Sequence, residues 1–191
     1  MNPQHLALLR SDQWRQTLED LAFPFAFGKG GPSILGDDPL EIGPGPGLTT
    51  DLLRVRLPRL TSIELDGDLA AALRDRLAGG NVEVVDGDAT AMPFADGRFS
   101  GVATFTMLHH VPTVELQDRL FAEVHRVLRP GGILVANDSV ASADLEMFHD
   151  GDVYNPVEPD TLAPRLEDAG FVDVEVATNP FAWAARARRP S

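Results

Sequence analysis

Two groups of residues in this chain have the types and spacing to do chemistry. The first is the run Glu41-Ile42-Gly43-Pro44-Gly45-Pro46-Gly47. Its glycines permit positive φ and let a ligand approach the backbone closely. A helix starting just after such a run offers unpaired N–H groups to an anion such as a carboxylate. Pro44 and Pro46 stiffen the turn, and Pro46 cannot donate a backbone hydrogen bond. The second group is His109-His110. An imidazole can take a proton from a hydroxyl or an amine near neutral pH.

The glycine spacing narrows the ligand. A Walker phosphate loop needs Gly-Lys-Ser/Thr, and no lysine or hydroxyl occurs here before Thr49. A dinucleotide fingerprint needs G-x-G-x-x-G, and Leu48 stands where its third glycine belongs. The pattern is E-x-G-x-G-x-G; a tight turn with no ligand is the plainer alternative. Two acidic points follow. Glu64, in Ser62-Ile63-Glu64-Leu65-Asp66, can accept both hydroxyls of a ribose, which does not by itself separate one ribose-bearing cofactor from another. Asp88, in Asp86-Gly87-Asp88-Ala89, can accept an adenine amino hydrogen, with small or apolar neighbours against the ring.

These points need elements to hold them. Leu40-Glu41-Ile42 reads as a short strand, Leu48 to Arg56 as a helix, Leu60 to Leu65 as a strand and Asp68 to Leu77 as a helix. Asn81 to Val85 is β-rich. Phe99 to Phe105 reads as a strand and Val114 to Leu128 as a helix. Arg129-Pro130-Gly131-Gly132 reads as a sharp turn into the strand Ile133 to Ala136. Pro159 to Ala169 is helical, and Phe171–Ala177 with Phe181–Ala187 forms a terminal hairpin. Repeated strand–helix alternation predicts an α/β fold, a parallel sheet covered by helices on both faces. Before it, His5 to Ala22 reads as one helix, broken by Pro24 and Gly28-Lys29-Gly30-Gly31-Pro32. Residues 1–36 are therefore expected to be a helical extension, and residues 37–191 the main domain.

Bulk properties set further bounds. The chain has 191 residues, a size that suits one domain, and a formal net charge of −13. Such a charge repels phosphate backbones, so nucleic acid is not expected as a partner. Arg186, Arg188 and Arg189 form the one basic group and read as a solvated chain end. There is no cysteine, hence no disulfide, thiolate nucleophile or Cys-held metal. No signal core and no long apolar span occur, so a cytoplasmic location without a membrane partner is expected.

The five segments together resemble the class I S-adenosylmethionine-dependent methyltransferases, in particular their small-molecule branch. The resemblance covers about Asp38 to Arg188. It rests on Leu40–Gly47, Ile63-Glu64-Leu65-Asp66, Gly87-Asp88-Ala89, Leu108-His109-His110-Val111 and Val127-Leu128-Arg129-Pro130-Gly131-Gly132. It implies a Rossmann-like seven-stranded sheet in the order 3-2-1-4-5-7-6, with strand 7 antiparallel. It implies S-adenosylmethionine as cofactor, with Glu41, Gly43, Pro44, Gly45 and Gly47 around its methionine part. Glu64 and Leu65 would meet the ribose, Gly87, Asp88 and Ala89 the adenine, and Phe105 and Thr106 the sulfonium side. Where the family has Phe-Asp this chain has Phe99-Ser100, which puts local packing in question. The implied reaction moves a methyl group to a small molecule by in-line displacement. A relative that binds the cofactor but catalyses a cyclisation is the alternative, and an NAD-dependent oxidoreductase is disfavoured by the glycine spacing.

Methyl transfer needs alignment and exclusion of water, and a base only where the nucleophile must lose a proton. His109, His110 and Asp138 are the candidate catalytic residues; each has a packing or capping role as its alternative. His149, Asp150, Asp152 and Tyr154 lie in an insert that could carry specificity. The N-terminal helix with Trp14, and Phe23, Phe25 and Phe27 after it, could cover the cofactor; core packing is the favoured reading of all four aromatics. No metal is expected, because His125 sits mid-helix and adjacent histidines should point apart. A small-molecule substrate is the expected partner, and a homodimer the candidate assembly.

Overall fold

The computed structural model describes residues 3–191; Met1 and Asn2 of the expected extension lie outside the described residues. The first stretch is not one helix. It comprises α1 (Pro3–Leu8), α2 (Asp12–Thr17), a π turn (Leu18–Ala22) and α3 (Phe23–Phe27). The break falls at Ser11, whose hydroxyl caps α2 by accepting from the Trp14 amide at 3.1 Å. Pro24 does not end a helix as expected. It follows just after the π turn, and the chain stays helical through Ala22 and Phe23 into α3.

A 3-10 segment, Gly28–Leu35, leads to β1 (Pro39–Ile42). Alternation then follows as expected: α4 (Leu48–Arg54), β2 (Leu60–Glu64), α5 (Gly67–Arg76), β3 (Val82–Asp86), β4 (Phe99–Phe105), α6 (Val114–Val127) and β5 (Leu128–Ser139). The insert contributes α7 (Ala143–Phe148), and α8 (Pro159–Asp168), β6 (Val172–Thr178) and β7 (Ala182–Arg188) complete the chain. The seven strands form one sheet in the order β3-β2-β1-β4-β5-β7-β6. β1 pairs in parallel with β2 and β4, and β7 pairs antiparallel with β5 and β6. Both the order and the antiparallel seventh strand agree with the expected fold.

The central strands β1 and β2 are buried along their whole length, as parallel strands covered on both faces must be. One face carries α6 and α8, whose Leu120, Phe121, Val124, Leu162 and Leu166 pack on Leu40, Ile42 and Val102. The other face takes α4 and the N-terminal segment. Leu18, Phe23, Phe27 and Leu35 pack there with Leu52, Phe105 and Val135. The Phe23 and Phe27 rings lie 5.0 and 5.4 Å from Phe105, so these aromatics are core, as read; Phe25 packs beside them half-buried.

Two local features depart from the sequence reading. Arg129–Gly132 is not a turn preceding the strand. Leu128 already pairs with Phe99, and Ile133 pairs with Gly101, so the four residues bulge within β5 around Gly131 at φ +76°. The basic group at the chain end is not simply solvated. Arg186 pairs with Glu175, Arg188 donates to the Gly131 carbonyl, and Arg189 donates to the Arg126 and Leu128 carbonyls. Ser100, in the place of the family's aspartate, ties the N-terminal segment to the sheet. Its hydroxyl donates to the Leu35 carbonyl at 2.7 Å and accepts from the Asp38 amide at 2.9 Å.

Candidate functional site

All five parallel strands end on the same edge of the sheet, and the residues that follow them converge there. β1 runs into the glycine loop. Gly43, Gly45 and Gly47 have φ of +66°, +55° and +90°, a region that L side chains avoid. The three glycines do different work. A Cβ on Gly43 would lie 2.2 Å from Met107 Cγ, and one on Gly47 would lie 2.3 Å from Leu73 Cδ1. A Cβ on Gly45 would meet nothing closer than Leu9 at 4.0 Å. Gly43 and Gly47 are thus packing glycines, and Gly45 faces open space.

That space is a cavity of about 580 Å³, a volume suited to a cofactor-sized ligand. Gly43, Pro44 and Gly45 line it, with Glu64 and Leu65 after β2, Gly87, Asp88 and Ala89 after β3, and Phe105 and Thr106 after β4. Of the residues read as cofactor-binding, Glu41 and Gly47 are the two that do not line it. Leu9 and Trp14 of the N-terminal segment do line it, so Trp14 covers the cavity while the phenylalanines behind it serve the core.

Glu64 holds the loop. Its Oε2 accepts from the Gly45 amide at 2.8 Å and its Oε1 from the Asp66 amide at 3.0 Å. Each oxygen retains a lone pair for a further donor. Asp88 closes its own turn, Oδ1 accepting from the Thr90 amide at 2.7 Å. Thr106 adopts φ +49°, uncommon for a threonine, and its amide donates to the Asn137 carbonyl at 2.8 Å. This strained residue turns the chain out of β4 at the cavity wall.

Glu41 lies beneath the loop. Its Oε2 accepts from the hydroxyls of Thr50 and Ser62, each at 2.7 Å, and its Oε1 is buried with no hydrogen-bond partner. Burial pushes its pKa up to about 7, with the two hydroxyl bonds opposing. Its pairing joins β1, β2 and α4 under the glycines.

The histidines form a second constellation. Leu108–His110 is a 3-10 turn, and the two neighbouring rings are only 4.2 Å apart between centroids. The expectation that they diverge is therefore corrected: the tight turn carries both rings to one side. His109 Nδ1 lies 2.7 Å from Asp138 Oδ1, and the Asp138 carboxylate also accepts from the backbone amides of His109 and Ser139. His149, from the C-terminal end of α7, brings its Nε2 to 3.2 Å from His109 Nε2 and stacks on Tyr154. Burial pushes the His149 pKa down and that of the Tyr154 phenol up. His110 lines the cavity beside Asp152, whereas His109 and Asp138 lie behind it. His125 is elsewhere, against Phe171, and Asp150 is exposed.

Gln117 had no signal in the sequence. It is buried in α6 and donates to the carbonyls of Leu108 and Asn155, which links the histidine turn to the insert. A polar residue amid Leu116, Leu120 and Phe121 on an apolar helix face was the only available hint.

The family model described as "Methyltransferase domain" matches residues 40–136, half of the chain, including the ends of β1 to β4 that line the cavity. The chain belongs to the class I S-adenosylmethionine-dependent methyltransferases. Erythromycin 3''-O-methyltransferase of Saccharopolyspora erythraea is 30% identical over 164 residues, which cover 74% of this chain and 52% of that protein. A probable S-adenosylmethionine-dependent methyltransferase of Mycobacterium tuberculosis is 30% identical over 151 residues, covering 75% and 52%. This chain thus spans about half the length of the curated relatives it matches. Phosphoethanolamine N-methyltransferase 2 of Haemonchus contortus, solved with S-adenosylhomocysteine, superposes with a TM-score of 0.77 over 97% of this chain and 58% of that one. At 16% identity that likeness bears on the fold.

The methyltransferase cofactor, S-adenosylmethionine, fits the residues present. A side chain on Gly45 would occupy the cavity, so the glycine leaves backbone open to a ligand. The Glu64 carboxylate has acceptor capacity for ribose hydroxyls. Among the described residues no helix is long and apolar enough to cross a membrane.

Proposed function

We propose that this domain transfers the methyl group of S-adenosylmethionine to a small-molecule acceptor. The observation that carries this reading is one continuous cavity lined by the glycine loop and also by His110 and Asp152. S-adenosylmethionine supplies a methyl carbon on a cationic sulfur, already activated toward displacement. The loop residues Gly43–Gly45 hold the methionine part, Glu64 the ribose, and Asp88 with Ala89 the adenine. Phe105 and Thr106 lie beside the sulfonium. Leu9 and Trp14 exclude water from the reacting centre, which an in-line displacement between desolvated partners needs.

The acceptor enters beside His110. His110 is the member of the histidine group that lines the cavity and meets the acceptor. His109 and Asp138 are positioning residues, which act through the 3-10 turn. Glu41 and Gly47 shape the loop from beneath. Residues 1–36 act as an extension whose α1–α2 region covers the cofactor. A small acceptor is favoured by the −13 charge and by the tying of Arg186, Arg188 and Arg189 into β6, β5 and the carbonyls around Leu128. Two related proteins point the same way: one is named for erythromycin, and the other was solved with phosphomonomethylethanolamine.

The test is incubation of the protein with labelled S-adenosylmethionine and a panel of small hydroxyl and amine compounds, with RNA as a further arm. Label in a small product supports the reading. Label only in RNA, or release of S-adenosylhomocysteine with no labelled product, contradicts it.

A further inference from the structure

Three imidazoles meet beside the cavity, brought there by distant parts of the chain. His109 and His110 come from the 3-10 turn after β4, and His149 from the end of α7, in the insert. One ring nitrogen of each lies within 4.8 Å of those of the other two. His109 and His149 are buried and His110 is half-buried.

Each ring sets its Nδ1 against an oxygen. His110 Nδ1 lies 3.2 Å from the Val153 carbonyl, and His149 Nδ1 lies 2.6 Å from the Leu145 carbonyl. A carbonyl only accepts, so Nδ1 carries the proton in both rings. A neutral imidazole has a single N–H, which leaves its lone pair on Nε2. The Asp138 carboxylate selects the same tautomer in His109, at 2.7 Å. Two Nε2 lone pairs then face each other at 3.2 Å between His109 and His149. A proton or a metal cation between them would relieve the repulsion of those lone pairs.

The third ring bears on the choice between these two. A tetrahedral zinc site with Zn–N bonds of ~2.0–2.1 Å sets two ligand nitrogens about 3.3–3.4 Å apart. The observed 3.2 Å is close to that separation. A shared proton would explain the His109–His149 approach, but not the convergence of a third ring. Imidazole nitrogens suit zinc and its neighbours in the first transition row. The carboxylate behind His109 and the carbonyls behind His110 and His149 are the outer-shell partners that orient metal-bound histidines.

We propose that His109, His110 and His149 bind one divalent transition cation of the zinc class, with Asp138 orienting His109. The binding stands independently of the reaction. Its consequence for chemistry rests on the methyl-transfer reading. Beside the cavity, a cation with an open position would hold an acceptor hydroxyl and lower its pKa. The hydroxyl proton would leave to solvent. The new O–C bond would form as the C–S bond breaks, with its electron pair going to sulfur. His110 would then be a ligand and not the proton acceptor.

The experiment uses the full chain, stripped with a chelator and dialysed, then titrated with cobalt(II) and zinc(II). Visible absorption of bound cobalt and elemental analysis after desalting are the readouts. One equivalent of zinc per chain is expected, with a cobalt spectrum of tetrahedral type. His149→Ala and His110→Gln should each lose that spectrum. Asp138→Asn should weaken binding by about 10–100-fold, and His125→Ala should leave it unchanged. Calorimetry with S-adenosylmethionine reports whether each variant is folded, and if His149→Ala is not, His110→Gln decides. Wild-type protein that binds S-adenosylmethionine but retains almost no zinc overturns the proposal. So does binding that survives both ligand substitutions or disappears in His125→Ala. Zinc bound without S-adenosylmethionine would instead sink the cofactor reading and leave the metal site standing.

Discussion

The backbone amide of Gly45 donates to Oε2 of Glu64 at 2.8 Å, so the glycine loop and the tip of β2 form one unit. The carboxylate holds the loop through Gly45 and Asp66, and in the proposed site its remaining lone pairs would accept from the ribose. Hydrogen bonds to a charged group are worth roughly 1.5–3 kcal/mol. Glu64→Gln is therefore expected to weaken S-adenosylmethionine binding by about 10–100-fold, read by calorimetry. An unchanged Kd would remove Glu64 from the site.

Glu41 gives a pH-dependent stability. Its folded pKa of about 7 lies above the ordinary value of 4.5. Folding therefore takes up a proton between those values, and the associated stability is full below about pH 4.5. It is lost as the pH rises through about 7, by on the order of 3 kcal/mol. Glu41→Gln lacks this contribution. Thermal unfolding of both proteins from about pH 4 to pH 8 should show wild type losing stability relative to the variant across that window. A constant difference would contradict the buried, proton-binding carboxyl.

Gly101 is a close-approach site with an ordinary backbone. A Cβ there would lie 2.5 Å from the Leu35 carbonyl oxygen and 2.7 Å from Leu35 Cα, so backbone meets backbone. Gly101→Val should destabilise the protein by about 1–3 kcal/mol, the range for overpacking. It should also expose the segment before β1 to limited proteolysis. Wild-type Tm and protection would show that this segment does not rest on β4.

Trp14 lines the cavity from a segment that the family model does not cover. Loss of its apolar surface in Trp14→Ala should weaken S-adenosylmethionine by roughly 5–30-fold, at about 25 cal/mol per Å² removed from water. The Tm should move little, because Trp14 lies at the margin of the core behind Phe23 and Phe27. Equal affinity would mean that the extension does not cover the cofactor.

What could be read from the sequence follows from where the residues sit along it. Gly43, Gly45, Glu64, Asp88 and Thr106 each lie at or just past the end of a strand, so period and punctuation place them on one edge. The sheet order came through the family resemblance, and the terminal hairpin through Asn179-Pro180 between two apolar runs. What escaped depends on contacts far apart in the chain. Glu41 meets Ser62 and Thr50 through sheet register, which turned an expected ligand contact into a support. His149 reaches His109 only because α7 folds back over the strand ends. The convergence of His109 and His110 depends on a 3-10 turn, which residue identity alone does not distinguish from an extended segment with diverging side chains. The two roles of the N-terminal aromatics, cover for Trp14 and core for Phe23 and Phe27, likewise depend on how the segment docks.

Gly45 offers the most direct measurement, because it separates folding from binding. A side chain there is strained at φ +55°, yet it meets no protein atom closer than 4.0 Å and points into the cavity. Calorimetry should give one S-adenosylmethionine per wild-type chain and no detectable binding to a folded Gly45→Leu variant. Wild-type affinity in that variant, or no binding to the wild type at millimolar cofactor, would contradict the account.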